Sequence, residues 1–451
     1  MSPESTIALL VVIVAFLGLL ALRLHVGLSL MIAGLLGIIM LRSLDAAVST
    51  IANQPYSTSA SYSLTIIPLF ILMGTLAVNA NLAQAGFDMA ARLLRRLPGG
   101  PALASLTGSG LFAAVTGSSV ATVATMARVS TNAIVAAGNG LKLAAGVVCA
   151  GGTLGVLIPP SIVLVLYGVV TEESIGQLLL AGIGPGLLTI AAYAVTIVML
   201  VLLQRRSERV STPQTEAVMA SLPEESERRV PKLDIPGVLF LAVIFIVSIG
   251  TIYAGIATPT EAASFGALAA LIVLLLRTRP PRWMTALKDS LSEAIGLTAM
   301  TFLLMVGAGV FTYFLALSGV SSALVDSVVA ADLPPYLVLV LCLLLLLPLG
   351  MFLDGISIIL IAAPLLHPIL TGYGFDGIWL GILIVKVAEM ALITPPVGMN
   401  AFVYSGAVPE AGLARVFRGI LPFIVADVVV VAVLIAAPDI VTFLPNLSGA
   451  K

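Results

Sequence analysis

Two proline-centred stretches decide the fold of this chain. They are GGTLGVLIPPSI at 151–162 and EMALITPPVGMN at 389–400, and both interrupt long apolar runs. Each contains a Pro-Pro pair, at 159–160 in the first stretch and at 395–396 in the second. Proline ends or kinks a helix because it lacks an N–H group and clashes with the preceding turn. Each stretch therefore predicts a helix that is broken inside an apolar environment.

The composition around these stretches excludes a soluble protein. Of the 451 residues, 60% are apolar and 10% are charged, whereas soluble domains have about 45–50% and about 25%. The net charge of −1 offers no basic surface for nucleic acid. Cys149 and Cys342 lie in apolar runs, and His25 and His367 are the only histidines, which argues against a disulfide framework or a histidine metal site. The composition predicts an all-α polytopic membrane protein.

Apolar runs predict about ten transmembrane helices, because a crossing needs about 20 apolar residues. The predicted spans are 6–22, 27–41, 63–81, 135–168, 178–203, 235–254, 260–277, 292–317, 376–402 and 420–438. The run 135–168 is too long for one straight crossing, so it is predicted to be tilted, broken or both. The first five residues carry no positive charge, so the first span is predicted to be retained rather than cleaved.

The basic residues predict that both termini lie outside. With the N-terminus outside, nearly all 21 Lys and Arg residues fall in inside loops, as expected for cytoplasmic loops. The exceptions are Arg42 and Lys451 outside and Lys142 and Lys386 within spans. This distribution of basic residues between the two sides requires the apolar stretches 101–130 and 336–370 each to enter and leave the membrane on the same side, as a hairpin does.

Segments between the spans have two predicted roles. The segment 204–232 is long, hydrophilic and rich in charge and proline, which predicts a solvated linker between two halves. The amphipathic segment 85–98 is predicted to lie along the inner bilayer surface. The same role is predicted for 283–294 and 406–418.

An internal repeat relates the two halves. The first half carries TGSSVAT at 116–122 within an apolar stretch, and the second carries GMFLDG at 350–355. The interval from Ser118 to Asp354 in these polar tips equals the interval from Pro159 to Pro395. The predicted topology has five crossings between the tips, an odd number, so the halves are oppositely oriented. Inverted repeats are common in secondary transporters, and the pattern predicts two re-entrant helical hairpins that face each other.

The residue types at the tips and breaks suit ion binding. Backbone carbonyls released by a glycine-rich tip or a Pro-Pro break need partners when no water is near. Such carbonyls, together with Ser and Thr hydroxyls, form a set of hard oxygens that suits Na⁺, and helix N-termini favour an anion. A hairpin arm of about 16 residues spans about 24 Å, less than the roughly 30 Å hydrocarbon core. The tips are therefore predicted to lie within the bilayer.

Intramembrane charges are further candidates because burying a charge in lipid is costly. Asp354 lies at the second tip, where it is either an ion ligand or the cap of the following helix. Lys386 and Glu389 are three residues apart, so they share a helical face and are predicted to pair with each other. Glu261 follows Pro259 and is predicted to be an ordinary first-turn acid.

The sequence resembles the large membrane subunit of the tripartite ATP-independent periplasmic (TRAP) transporters, the DctM-like family. The resemblance runs along nearly the whole chain. It rests on PLFILMG at 68–74, LPGG at 97–100, GSSVAT at 117–122, GGTLGVLIPPSI at 151–162, YG at 167–168, AGIGPGLL at 181–188, LDG at 353–355 and EMALITPPVGMN at 389–400.

This resemblance implies an elevator-type transporter, in which a transport domain built around the two hairpins moves against a scaffold. The implied domains are N-terminal scaffold helices at 1–100, a first hairpin and broken helix at 101–203, a cytoplasmic linker at 204–232, further scaffold helices at 233–335, a second hairpin and broken helix at 336–438, and a tail at 439–451.

The implied function is Na⁺-driven uptake of an organic anion, such as a dicarboxylate, a keto acid or a sialic acid, across the bacterial inner membrane. The implied partners are a small four-helix (DctQ-like) membrane subunit, expected as a separate polypeptide, and a periplasmic substrate-binding protein. A self-sufficient ion-coupled anion symporter or exchanger, without partner subunits, is the alternative. An enzyme is not expected, since the chain has no His-Glu-x-x-His motif.

The resemblance also implies site residues in both halves. The Na⁺ sites are expected around Gly117, Ser118, Ser119, Gly152 and Thr153 in the first half and Asp354, Gly355, Thr394, Gly398 and Asn400 in the second. The substrate is expected near Ser119, Thr122, Pro159, Pro160, Pro395 and Pro396. Which residues would bind through carbonyls and which through side chains stays open.

Overall fold

A computed structural model describes residues 3–207, 234–280, 282–320, 323 and 333–448. Most of the predicted linker 204–232 therefore lies outside the described residues. The described part of the chain is built from helices and contains no strand. The predicted all-α fold class is confirmed.

The helices are numbered here in chain order. They are α1 (Pro3–Ala21), α2 (Val26–Leu41), α3 (Leu44–Ser59), α4 (Ile66–Asn79), α5 (Leu82–Leu94), α6 (Gly100–Thr116), α7 (Ser119–Ala136), α8 (Leu141–Thr153), α9 (Ile162–Thr171), α10 (Ile175–Ala181), α11 (Ile183–Ser207), α12 (Ile235–Phe245), α13 (Pro259–Arg277), α14 (Trp283–Ser318), α15 (Pro335–Gly350), α16 (Gly355–Gly372), α17 (Gly377–Ala391), α18 (Met399–Ala407), α19 (Leu413–Ala436) and α20 (Asp439–Ser448). A π-helical turn, Ile246–Gly250, continues α12 to Tyr253.

Eight stretches of the described residues are long and apolar enough to cross a membrane, by length and composition. They are Pro3–Ala21, Tyr62–Asn79, Ile175–Leu203, Ile235–Tyr253, Pro259–Arg277, Trp283–Ser318, Gly355–Gly372 and Leu413–Ala436. Shorter apolar helices include α2 and α15, each of 16 residues. The structure thus has the helices of a multi-pass membrane protein.

Both Pro-Pro stretches break a helix, as predicted. Helix α8 ends at Thr153 and α9 begins at Ile162, with one 3₁₀ turn between them. Helix α17 ends at Ala391 and α18 begins at Met399. The Pro-Pro peptide bonds are cis in both breaks. The two breaks therefore share one backbone design.

Both predicted hairpins are present. Helices α6 and α7 pack against each other and are joined by Gly117 and Ser118 alone. Helices α15 and α16 pack in the same way and are joined by the residues 351–354. Two pairs of antiparallel helices therefore present their tips at equivalent positions of the repeat.

The predicted amphipathic segments have different outcomes. Segment 85–98 corresponds to α5, and 283–294 forms the first turns of the 36-residue helix α14, continuous with the following span. The segment 406–418 contains the end of one helix and the start of the next, and its place along the inner bilayer surface stays a prediction. Helix α18 ends at Ala407 and α19 begins at Leu413, because Pro409 starts a separate 3₁₀ turn and Gly412 has a φ of 62°.

The helices away from the hairpins pack closely through small residues. A Cβ on Gly34 of α2 would lie 3.0 Å from the Cα of Phe311 on α14, so the two backbones touch, as small residues allow between membrane helices. Glu261 forms a capping box with Thr258 at the start of α13, which confirms its predicted role as a first-turn acid. The first of these contacts holds α2 against α14, and the second fixes the start of α13.

Candidate functional site

The first hairpin tip is a glycine turn followed by a capped helix. Gly117 has a φ of 59°, which favours glycine. Ser118 caps α7: its Oγ accepts a hydrogen bond from the Ala121 N–H at 3.4 Å. A Cβ on Gly117 would lie 3.3 Å from the carbonyl oxygen of Pro160. The first tip therefore lies directly against the first Pro-Pro break.

The second tip repeats this arrangement with an acid. The Oδ1 atom of Asp354 accepts hydrogen bonds from the Ser357 N–H, at 3.4 Å, and from the Ser357 hydroxyl. Asp354 therefore caps α16, which is one of the two roles that the sequence left open. Ser118 and Asp354 occupy the same position of the repeat, and each caps the second arm of its hairpin.

One carboxylate connects the two tips. Glu389 of α17 is buried, and its Oε2 accepts a hydrogen bond from the hydroxyl of Ser119, the first residue of α7. A Cβ on Gly355, the first residue of α16, would lie 2.8 Å from Oε1 of the same carboxylate. The N-terminal ends of both second arms therefore lie beside the carboxyl group of Glu389.

The first tip and the two breaks meet beside this carboxylate. A Cβ on Gly152 would lie 3.0 Å from the backbone oxygen of Ser119 and 3.5 Å from Nδ2 of Asn400. Five residues therefore lie together, and we call them the central cluster. They are Ser119, Gly152, Gly355, Glu389 and Asn400.

Asn400 leaves a buried acceptor without a partner. Its Nδ2 donates to the carbonyl of Cys149 at 3.5 Å. Its Oδ1 has no hydrogen-bond partner among the described residues, although the side chain is fully buried. A buried polar atom without a partner is costly. The central cluster therefore holds an oxygen that is available to a ligand.

A second buried arrangement, which we call the polar chain, runs beside the central cluster. Lys386 Nζ lies 2.5 Å from Oδ1 of Asp427. The hydroxyl of Tyr193 donates to both Asp427 oxygens, at 2.7 and 2.8 Å, and lies 3.2 Å from Oγ1 of Thr153. The polar chain thus links α17, α19, α11 and α8.

The predicted pairing of Lys386 with Glu389 is wrong. Spacing along one helix placed them on a shared face. The ammonium group of Lys386 instead forms an ion pair with Asp427 of the neighbouring α19, and the carboxyl group of Glu389 accepts a hydrogen bond from Ser119. Asp427 and Tyr193 were not among the predicted site residues. The sequence held one signal for Asp427, since it is an acid inside the predicted span 420–438; Tyr193 carries no comparable signal.

Other predicted site residues lie near the tips or breaks. Thr122 is buried, and its hydroxyl donates to the carbonyl of Ser118 at 2.8 Å. Thr394 donates to the carbonyl of Met390 at 2.7 Å, and Gly398 has a φ of 60°. The first Pro-Pro pair, Pro159 and Pro160, is buried, whereas Pro395 is half-buried and Pro396 is exposed. The two equivalent breaks thus differ in their surroundings.

Comparison with known proteins agrees with this architecture. A profile of the family described as "Tripartite ATP-independent periplasmic transporter, DctM component" matches residues 13–440. The chain is 34% identical over 413 residues to the C4-dicarboxylate TRAP transporter large permease protein DctM of Pseudomonas aeruginosa, covering 91% of this chain and 92% of that protein. It is 30% identical over 439 residues to the sialic acid TRAP transporter large permease protein SiaM of Vibrio cholerae, covering 96% and 98%.

The fold also has a relative among solved structures. The YdaH transporter of Alcanivorax borkumensis matches with a TM-score of 0.60 at 15% identity, over 88% of this chain and 89% of that one. At this identity the likeness concerns the fold alone.

The helices, hairpins and buried polar interior define a multi-pass membrane transporter. The chain belongs to the DctM family, the large permease component of the TRAP transporters.

Proposed function

We propose that this chain is the transport subunit of a Na⁺-coupled importer that carries an organic anion across the bacterial inner membrane. The substrate class follows from the relatives, which are named for C4-dicarboxylate and sialic acid. Both are carboxylates. The N-termini of α7 and α16, which meet at Glu389, are suited to negative charge.

The buried Oδ1 of Asn400 carries the Na⁺ proposal. It lies in the central cluster with the Ser119 hydroxyl, the Glu389 carboxylate and the backbone of Gly152. All of these offer oxygen atoms, the ligand type that hard cations prefer. The residues present therefore fit Na⁺. A bound Na⁺ would supply the positive charge that these oxygen atoms would coordinate. Of the other predicted residues, Ser118 and Thr153 adjoin Ser119 and Gly152 along the chain, and Thr394 and Gly398 belong to the second break.

We further propose that the chain works with a small four-helix membrane subunit and a periplasmic substrate-binding protein. This partnership is supported by family membership, since the family's own description names a tripartite periplasmic system. In this scheme the binding protein selects the anion, and the hairpins carry it through the membrane.

A stability assay tests the ion site without knowledge of the substrate. We expect NaCl, compared with choline chloride at equal ionic strength, to raise the unfolding temperature of the purified chain. A ligand at 100 times its dissociation constant adds about 2.7 kcal/mol. N400A and S119A should abolish this response. S105A is the matched control, because Ser105 is also a buried serine of the first hairpin but bonds to Ser130.

Transport in proteoliposomes tests the coupling and the partners. Labelled succinate and N-acetylneuraminate serve as probes, with and without the binding protein and the small subunit. We expect uptake only with an inward Na⁺ gradient and with both partners present. Equal uptake without Na⁺ would refute the coupling, and uptake by the chain alone would favour a self-sufficient symporter or exchanger.

A further inference from the structure

A long apolar groove lies on the outer surface between α6 and α11, away from the central cluster. Its volume is about 980 Å³, at the upper end of the roughly 300–1,000 Å³ typical of small-molecule sites. Helix α11 lines it from Ile190 to Leu203, and Leu94 at the end of α5 and Leu97 just after it line it as well.

The lining is almost entirely aliphatic and substantially exposed. Val195, Met199 and Leu203 are 64%, 53% and 55% exposed. The polar side chain in the lining, Thr107, donates its hydroxyl hydrogen to the carbonyl of Leu103 at 3.0 Å. The groove is therefore suited to hydrocarbon along its length.

Positive charge gathers at one end of this groove. Arg92, Arg95 and Arg96 are exposed on and just after the last turns of α5, next to the lining residues Leu94 and Leu97. In the sequence, Arg205 and Arg206 follow the lining residue Leu203 after one intervening residue. The groove is thus apolar along its length and has basic residues at one end. Arginines are typical of cytoplasmic loops, so this end is expected on the cytoplasmic side of the membrane.

The dimensions match one leaflet. The lining stretch of α11 covers 190–203, which at 1.5 Å per residue is about 20 Å. Half of a roughly 30 Å hydrocarbon core is about 15 Å. A chain lying in the groove with its polar end at the arginines would therefore reach the middle of the bilayer.

We infer that this groove binds an anionic phospholipid, with its acyl chains along α6 and α11 and its phosphate at Arg92, Arg95 and Arg96. Anionic lipids of the cytoplasmic leaflet are attracted to basic residues next to membrane helices. The lipid would fill the surface between the first hairpin and α11, two elements that also contribute Ser119 and Tyr193 to the buried site.

Lipid titration of the chain purified with its small subunit tests this inference. Palmitoyl-oleoyl phosphatidylglycerol and phosphatidylcholine would be titrated in mild detergent, with bound lipid counted by native mass spectrometry. We expect saturable binding of phosphatidylglycerol that R95Q/R96Q weakens about tenfold, given the attraction of each arginine to anionic lipid. The double variant R279Q/R282Q removes two other exposed arginines and should leave the binding unchanged.

A second pair of variants tests the apolar lining of the groove. V195W places a bulky ring in the groove and should remove the saturable binding, whereas V429W changes an equally apolar residue, 55% exposed, outside it and should not. Equal binding of both lipids, equal loss in R279Q/R282Q, or replacement of the lipid by inorganic phosphate would overturn the inference. So would loss of the small subunit from V195W with lipid binding intact, because that outcome makes the groove a protein interface.

Discussion

At the scale of single residues, the interior is organised by polar groups that bond across helices. Lys386 and Asp427 are both fully buried and lie 2.5 Å apart. Removing water from two charges is costly, and their attraction repays that cost when further hydrogen bonds are made. Tyr193 supplies these bonds to Asp427. The ion pair is therefore stabilised by hydrogen bonds from Tyr193 as well as by the attraction between the two charges.

Breaking this pair from one side should be severe. We expect K386M or D427N alone to lower the free energy of unfolding by about 3–5 kcal/mol, because a buried charge loses its partner. The double variant K386M/D427N should lose less than the worse single variant. Unfolding in mixed micelles measures both, and K288M, at an exposed lysine, is the control.

Additive losses in the double variant would contradict this expectation. They would mean that the two side chains stabilise the fold independently, although they lie in contact.

A second ion pair predicts a pH dependence at the membrane surface. Arg277 Nη2 lies 2.5 Å from Oδ2 of Asp234, and this hydrogen bond holds the pKa of the Asp234 carboxyl below its ordinary value. A carboxyl whose pKa is lowered by folding stabilises the fold above its unfolded pKa, about 3.9. That stabilisation is lost as the pH falls through the lower folded value.

D234N should therefore reduce the unfolding temperature at neutral pH, and the difference from the wild type should shrink below about pH 4. D45N, at an exposed acid of α3, is the control and should show little difference at either pH. A constant effect of D234N across pH would contradict this expectation, because the difference would then not depend on the charge of Asp234.

At the scale of elements, the hairpins and breaks depend on backbone approaches that a side chain would block. A Cβ on Gly152 would overlap the side chain of Val123 and crowd the backbone oxygen of Ser119. By contrast, Gly406 of α18 is also helical and has nothing within 4 Å of a Cβ position. The two glycines make a matched pair.

We expect G152A to cost about 1–3 kcal/mol of stability, as over-packing does, and to abolish stabilisation by Na⁺. G406A should be neutral or stabilising by about 0.4–1 kcal/mol, because it limits the unfolded chain without strain. Unfolding with and without NaCl separates the two effects. A G152A variant that keeps a normal Na⁺ response would place the ion elsewhere.

The elements were largely predictable from the sequence, and their contacts were only partly so. Proline and glycine act on the local backbone, so the breaks after Thr153 and Ala391 and the turn at Gly117 followed from residue type. The partner of Lys386 depends on how α17 packs against α19, and spacing along one helix holds no such information. The turn that separates α18 from α19 lies inside the segment 406–418, which the sequence marked only as amphipathic.

At the scale of the whole molecule, the distribution of arginines predicts the orientation in the membrane. Arg42 and Arg282 are both exposed at helix ends, and the predicted topology places them on opposite sides. We expect a membrane-impermeant maleimide to label R42C in intact spheroplasts, and R282C only after permeabilisation.

The background for this experiment is C342S, which keeps the buried Cys149 and should stay unlabelled. Labelling of both positions from outside would rule out the ten-crossing arrangement and with it the opposed hairpins.

The two halves have the same backbone arrangement at their breaks, but only the second half has an acidic residue there. Thr153 and Glu389 occupy equivalent positions of the repeat, and only Glu389 reaches both hairpin tips. With the same residue type at both positions, the two repeats would offer the same groups to the centre of the molecule. An acid at one of the two positions and a hydroxyl at the other make this centre asymmetric, so the two halves differ in chemistry where their main chains follow one plan.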